Sequence, residues 1–203
     1  MYKRKAAYFD SQVQAAWAAE EYGPEEINKL DRLFAETGAL EGLAILEPGC
    51  GTGRLTEILA GKVGAKGHIV ALDISPKMVE TARRRIASRQ NVEVHLAEVE
   101  AFPLPEGAFD LVLCHQVFPH FEDKEKALKI LVRALKPGGR FIIFHFITLS
   151  QINDLHRKAG TAVENDLMPM AEEMKHLFEV AGLKMGFLKD DPQGYFVSAT
   201  RFQ

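Results

Sequence analysis

Residues 45–54 read Ile-Leu-Glu-Pro-Gly-Cys-Gly-Thr-Gly-Arg. An apolar run of Leu43, Ala44, Ile45 and Leu46 meets an acid at Glu47. Three glycines follow at alternate positions, Gly49, Gly51 and Gly53, and a periodic apolar stretch then opens with Leu55, Ile58 and Leu59. The pattern predicts a buried strand, a tight glycine turn and a helix start. Glycine admits positive φ and lets a ligand approach where a Cβ would stand. A ligand in this turn is expected to meet free N–H groups at a helix N-terminus.

The spacing chooses between ligands. A dinucleotide fingerprint requires Gly-x-Gly-x-x-Gly. Counted from Gly49, its third glycine falls on Arg54, which disfavours a nicotinamide-dependent dehydrogenase. An acid at the end of the strand repels a pyrophosphate and suits a cation. Residues 45–59 resemble the first motif of class I S-adenosylmethionine-dependent methyltransferases, whose cofactor carries a sulfonium and an ammonium. The nearest-looking branch is the small-molecule group typified by ubiquinone and menaquinone biosynthesis enzymes.

Three further segments carry the resemblance in order. His68 to Ser75 is a second apolar strand ending in Asp73, with Pro76 at a helix start. An acid about 20 residues beyond the glycines is the usual ribose-hydroxyl ligand of nucleotide-binding α/β folds. Val92 to Leu96 is a short alternating strand, followed by Ala-Glu-Val-Glu-Ala-Phe-Pro at 97–103. There Glu98 stands where the family more often has Asp against the adenine amino group. Phe109 to Cys114 and Leu135 to Arg140 resemble the fourth strand and the turn before the fifth. The resemblance implies cofactor contacts from Glu47, Gly49, Cys50, Gly51, Gly53, Asp73, Ile74, Met78, Glu98, Val99 and Cys114. It also implies an N-terminal lid holding Tyr8, Phe9 and Trp17, with Trp17 at the cofactor; a helix that simply docks on the sheet is the alternative.

Length suits one domain with a sizeable core. The implied fold is a Rossmann-like, doubly wound seven-stranded sheet, mostly parallel, with one antiparallel strand near the C-terminus. Residues 1–38 are expected as a helical lid or cap, 39–146 as the cofactor-binding core, and 147–203 as a substrate-side segment with closing strands. Helices are expected over 25–37, 77–88, 124–134, 151–158 and 169–181, and closing strands over 183–188 and 195–201. Asp10 or Ser11 is expected to cap a helix within 8–22, and Ser150 the helix after it.

A net charge of −3 makes no electrostatic case for nucleic acid or an anionic membrane. The run Arg83-Arg84-Arg85 reads as a solvated helix face. Cys50 and Cys114 make no disulfide framework, no apolar run reaches the ~20 residues of a spanning helix, and the start has no signal-peptide pattern. A reducing, cytoplasmic setting, no stable membrane insertion, and a monomer or homodimer are therefore expected.

Five of the seven histidines fall after residue 110. Strand ends four and five are expected to bring His115, His120, His145 and His156 together on the substrate side of the cofactor crevice, with Asp154 or Asp166 nearby. Three readings stay open. They are separate core and surface histidines; one of His120, His145 or His115 serves as general base or orienting donor; or the four hold a divalent transition metal. Phe118, Phe121, Phe141, Phe144 and Phe146 read mainly as core, and Tyr195 and Asp191 are weak candidates for the pocket edge. The function that follows is methyl transfer from S-adenosylmethionine to a small-molecule acceptor by in-line displacement, giving S-adenosylhomocysteine. The alternative is a non-catalytic sensor or partner module that binds S-adenosylmethionine or a metal.

Overall fold

The computed structural model describes residues 2–160 and 162–203. Among them seven strands form one mixed sheet in the order β3-β2-β1-β4-β5-β7-β6. The chain divides into two compact units, Met1–Glu98 and Val99–Gln203.

In the first unit β1 (Ala44–Pro48) and β2 (His68–Asp73) pair in parallel, and β2 pairs in parallel with β3 (Val92–Leu96). Ile45, Leu46, Ile69, Ala71 and Leu72 are buried, as expected of parallel strands covered on both faces. The helices of this unit are α1 (Lys3–Gln12), α2 (Ala16–Ala19), α3 (Pro24–Thr37), α4 (Arg54–Val63) and α5 (Pro76–Arg85). Pro24 and Pro76 sit in the first turns of α3 and α5, where a missing N–H costs nothing. Gly38 ends α3, as expected.

Two sequence expectations for this unit are corrected. Asp10 and Ser11 do not cap a helix within 8–22, because α1 begins at Lys3 and contains both. Ser11 Oγ instead donates back to the Tyr8 carbonyl. Asp10 caps a different helix. Its Oδ1 accepts from Lys77 N at 3.0 Å and from Ser75 Oγ, while Ser75 Oγ accepts from Met78 N at 3.2 Å. The start of α5 is thus satisfied by its own N-cap and by a carboxylate lent from α1. The arginine run is also not purely solvated. Arg83 donates twice to the Val94 carbonyl, and Arg85 bridges Glu57 and Glu21.

In the second unit β4 (Phe109–His115) pairs in parallel with β5 (Leu135–His145). β7 (Gly194–Arg201) runs antiparallel to both β5 and β6 (Leu183–Asp191). It is therefore the one reversed strand. The stretch expected as a turn, 135–140, is counted into β5 through a register shift opposite Phe109 and Leu111. α6 (Lys124–Ala134), α7 (Leu149–Lys158) and α8 (Ala171–Ala181) complete the unit. Ser150 is not the cap of α7: Thr148 is, its Oγ1 accepting from Gln151 N while Gln151 Oε1 accepts from Thr148 N. A Thr-x-x-Gln box satisfies two end groups at once; Ser150 lies two residues too late to do so. No helix among the described residues is long and apolar enough to cross a membrane.

The double cap on α5 has a measurable weight. Asp10→Ala and Ser75→Ala should each lower stability by about 1 kcal/mol, and the double variant should lose less than the sum, because both act on the same helix end. Chemical denaturation of the four proteins checks this.

Candidate functional site

The strand end of β1, the glycine turn and the end of β2 form one hydrogen-bonded knot. Gly49 N and Cys50 N both donate to the Leu72 carbonyl, at 2.7 and 2.9 Å. Gly51 N donates to Asp73 Oδ2 at 2.8 Å, Ser75 N donates to Asp73 Oδ1 at 2.9 Å, and Gly53 N donates to the Cys50 carbonyl. Four N–H groups of this turn, those of Gly49, Cys50, Gly51 and Gly53, are therefore used by the protein itself.

What the turn does offer is a pair of buried acids. Glu47 is 2% exposed and its Oε2 has no hydrogen-bond partner. Burial pushes its carboxyl up to about 8, the Thr56 hydroxyl opposing the shift and the Asp73 charge adding to it. Thr56 Oγ1 itself closes no hydrogen bond of good geometry. Burial also raises Asp73, to about 6, against the pull of the N–H groups of Ser75 and Gly51. Two carboxyls held out of water, one of them with an unpartnered oxygen, are stabilised in their charged form by a bound cation. The two Asp73 bonds leave that carboxylate with further lone pairs for hydroxyl donors.

The glycines have different reasons. Gly51 has φ +55° and nothing within 4 Å of the place a Cβ would take, so a side chain there would fill open space. Gly53 has φ +82°, and its Cβ would stand 3.0 Å from Ala82 in α5, so it is the close packing of α4 on α5 that requires glycine there. Met78, 1% exposed, presents no side-chain surface to a ligand. Cys50 and Cys114 are buried as well. Ile74 and Glu98 are half-buried and Val99 is buried.

Sequence reasoning missed the residues that hold the N-terminal segment to this knot. Thr52 Oγ1 donates to the Ala18 carbonyl at 2.6 Å, and Arg54 donates to the carbonyls of Glu20, at 2.8 Å, and Trp17. The Arg54 guanidinium also lies 4.1 Å from the Tyr22 ring centroid. Arg54 is thus the anchor of α2 and the residues after it. Trp17 is 48% exposed and meets the turn through its carbonyl, not its ring. The signal available in the sequence was Arg54 itself, a charged residue breaking a glycine rhythm.

In the second unit the histidines do gather. His145 is 4% exposed, and its pKa is held well below the usual value by burial, with charge on His115, His120 and His156 adding to the effect. The rings of His120 and His156 lie 4.7 Å apart. His120 Nδ1 donates to Asp166 Oδ2 at 2.8 Å, His156 Nδ1 to the Asp166 carbonyl, and His115 Nδ1 to the Phe144 carbonyl at 3.1 Å. The His115 ring stacks on Phe144 and meets Phe146 edge-on. The metal expectation is corrected: among the described residues no group of three or more His, Cys, Asp or Glu side chains is placed to hold a metal ion. His115, His120 and His156 bond carbonyls or a carboxylate through Nδ1, and His145 Nε2 has no partner.

A mixed sheet in this order, with one reversed strand and a carboxylate-lined glycine turn after β1, defines a class I S-adenosylmethionine-dependent methyltransferase. Residues 39–183 match the family model described as "Methyltransferase domain", and the chain belongs to that family. It is 32% identical over 171 residues to the ubiquinone/menaquinone biosynthesis C-methyltransferase UbiE of Idiomarina loihiensis, covering 72% of this chain and 68% of the relative. To the enzyme of the same name from Vibrio cholerae it is 31% identical over 173 residues, covering 73% and 66%. The chain thus spans about two thirds of the length of these relatives. Its structure matches the crystal structure of a SAM-dependent methyltransferase from Aquifex aeolicus with a TM-score of 0.69 and 25% identity, covering 89% of this chain and 99% of that one.

Two outcomes follow for the ligand-free protein. A carboxyl with its folded pKa above its unfolded value holds the proton more tightly when folded. Stability from Glu47 therefore falls as pH rises from about 4.5 to about 8 and levels off above. Glu47→Gln should match the wild type at pH 5 and exceed it by roughly 2–4 kcal/mol at pH 9, as measured by denaturation at both pH values. Arg54→Ala should lower hydrogen-exchange protection across residues 16–22 by about tenfold, with β1 and β2 unchanged.

Proposed function

We propose that the chain transfers the methyl group of S-adenosylmethionine to a small-molecule acceptor, and that the first unit binds the cofactor through Glu47, the turn at Gly49 to Gly53, Asp73 and Ile74. The observation that carries this reading is the pair of buried carboxyls beside the open face of Gly51, Glu47 with its Oε2 unpartnered and Asp73 held by Gly51 N and Ser75 N. Glu47 meets the cationic methionine end. Asp73, its two oxygens already aimed by Gly51 N and Ser75 N, accepts from the ribose hydroxyls. Glu98 and Val99, after β3, serve the adenine. The cofactor, when bound, supplies an activated methyl group on a sulfonium. Orientation is what the protein adds, an effect that can be worth about 7–11 kcal/mol.

The whole chain acts as one methyltransferase domain on this reading, with residues 1–38 as the cap. Thr52 and Arg54 hold that cap against the glycine turn, and closure over the cofactor excludes water. The small-molecule acceptor is supported by the likeness to enzymes whose names place them in ubiquinone and menaquinone biosynthesis. The net charge of −3 speaks against nucleic acid as the acceptor. Within the second unit, His115, His120 and His145 are this reading's candidates for a base or orienting donor. Two buried free cysteines suit a reducing compartment.

Calorimetry with S-adenosylmethionine and S-adenosylhomocysteine tests the reading. Wild type should bind both, and Asp73→Ala should weaken both by 100-fold or more, through about 3 kcal/mol of lost hydrogen bonds to a charged group. Affinity for the cationic S-adenosylmethionine should rise from pH 6 to pH 9 as Glu47 ionises, a trend absent in Glu47→Gln. No binding by the wild type would overturn the assignment.

A further inference from the structure

The C-terminal ends of two helices of the second unit meet around a cavity of about 290 Å³. α6 gives it Lys129, Val132 and Arg133, α8 its last residue Ala181 and its cap Gly182, and the end of β7 gives Arg201, with Phe202 just after it. Tyr195 and His145 are paired at the other end of β7, about 20 Å from Arg201 at the rise of a strand. The cavity therefore lies away from the histidine group and belongs wholly to one unit.

Helix C-termini present unsatisfied carbonyls and favour cations. Here the protein meets that demand itself. Gly107 N and Ala108 N donate to the carbonyls of Arg133 and Ala134 at the end of α6, and Arg201 Nη1 donates to the carbonyls of Arg133, at 2.9 Å, and Leu135. At α8 Gly182 N donates to the Glu179 carbonyl, and Phe202 N to the Gly182 carbonyl at 3.2 Å. What remains on the cavity wall is positive charge. Arg201 meets no carboxylate, and its Nε and Nη2 have no partner among the described residues. Lys129 and Arg133 stand four apart on one face of α6, where like charges repel. Each has one acid, Glu125 at 2.5 Å and Glu106 at 3.2 Å, but all four side chains are at least half exposed. Ion pairs in that setting hold weakly and exchange readily for another anion.

The rest of the wall is apolar. Val132 is buried, Ala181 is half-buried and Phe202 is 54% exposed. Gly182 takes φ +86°, and nothing lies within 4 Å of the place its Cβ would occupy, so this side has room for the body of a ligand. Guanidinium forks match phosphate oxygens, and three cations on one wall favour a dianion over a single carboxylate. The volume is at the small end for a ligand pocket.

We propose that this cavity binds a small organic phosphate, a monoester whose dianion meets Arg201, Arg133 and Lys129 and whose compact apolar body lies against Val132 and Phe202. The site is independent of the methyl-transfer reading.

Phenyl phosphate is the probe, titrated into the full chain at about pH 8, where a phosphate monoester is a dianion. Amide proton–nitrogen spectra at constant ionic strength give both the position and the affinity. Shifts should centre on residues 129–135, 181–183 and 201–203, with a Kd of about 1 mM or tighter. Lys129→Gln combined with Arg133→Gln removes charge from two exposed positions and leaves the carbonyl bonds of Arg201 in place; it should weaken binding about tenfold or more. Arg201→Lys keeps the charge and loses the fork, and should also weaken binding about tenfold. Should Arg201→Lys fail to fold, the double variant decides alone. Inorganic phosphate should bind about tenfold more weakly than phenyl phosphate, and benzyl alcohol should leave these amides unmoved. No shift at about 10 mM probe, shifts centred on other residues, or undiminished affinity in the double variant overturns the proposal. Equal affinity for inorganic phosphate overturns the role of the apolar wall and with it the organic ligand.

Discussion

The carboxylate of Asp73 is the constraint on which the first unit is built. It lies at the end of β2, out of water, and each of its oxygens is taken by a backbone N–H from a different turn: Gly51 in the glycine loop and Ser75 at the head of α5. A buried charge of this sort is costly unless such donors reach it. The glycine loop can bend back to donate only because Gly51 takes a left-handed conformation. α5 can begin where it does because Ser75 and Asp10 satisfy its first N–H groups. Strand, loop, helix and the N-terminal helix α1 are thereby set by one side chain, and that same side chain keeps spare lone pairs for a ligand.

Polarity is distributed between the two units by a common logic. In the first, two acids are buried, one with an unpartnered oxygen, so a cation is welcome. In the second, the Nδ1 atoms of His115, His120 and His156 are committed to carbonyls and to the Asp166 carboxylate, which orients their rings. Preorganised donors and acceptors cost no reordering when the reaction occurs.

Much of this was legible in the sequence, and for stated reasons. β1, the glycine turn and β2 announce themselves because buried parallel strands are continuous apolar runs and because few residues other than glycine tolerate the turn. α3 and α6 followed from helical spacing to within a residue or two. The N-terminal segment was misplaced because its first helix starts in a polar stretch, Lys3-Arg4-Lys5, where no apolar period marks it. Asp10 and Ser75 meet across 65 positions, and a long-range cap leaves no local signature. That His115, His120, His145 and His156 could come near one another was an expectation from the strand ends; the partners of their rings were not legible, because those of His115, His120 and His156 lie 10 to 46 positions away, a relation that residue types alone do not encode. The metal reading failed for the same reason: histidine count says nothing about which ring nitrogens are already occupied.

Thr52 and Arg54 fasten the segment around α2 by its carbonyls, those of Ala18, Glu20 and Trp17. A carbonyl is the same whichever residue bears it. The fastening therefore reads the path of the chain and is blind to its lettering. The exposed side chains of this stretch, Trp17 among them, can change without loosening the clasp, whereas the buried Ala18 cannot grow. An insertion or deletion of a single residue there would shift every carbonyl out of reach. The segment is a part whose surface can be rewritten and whose length cannot.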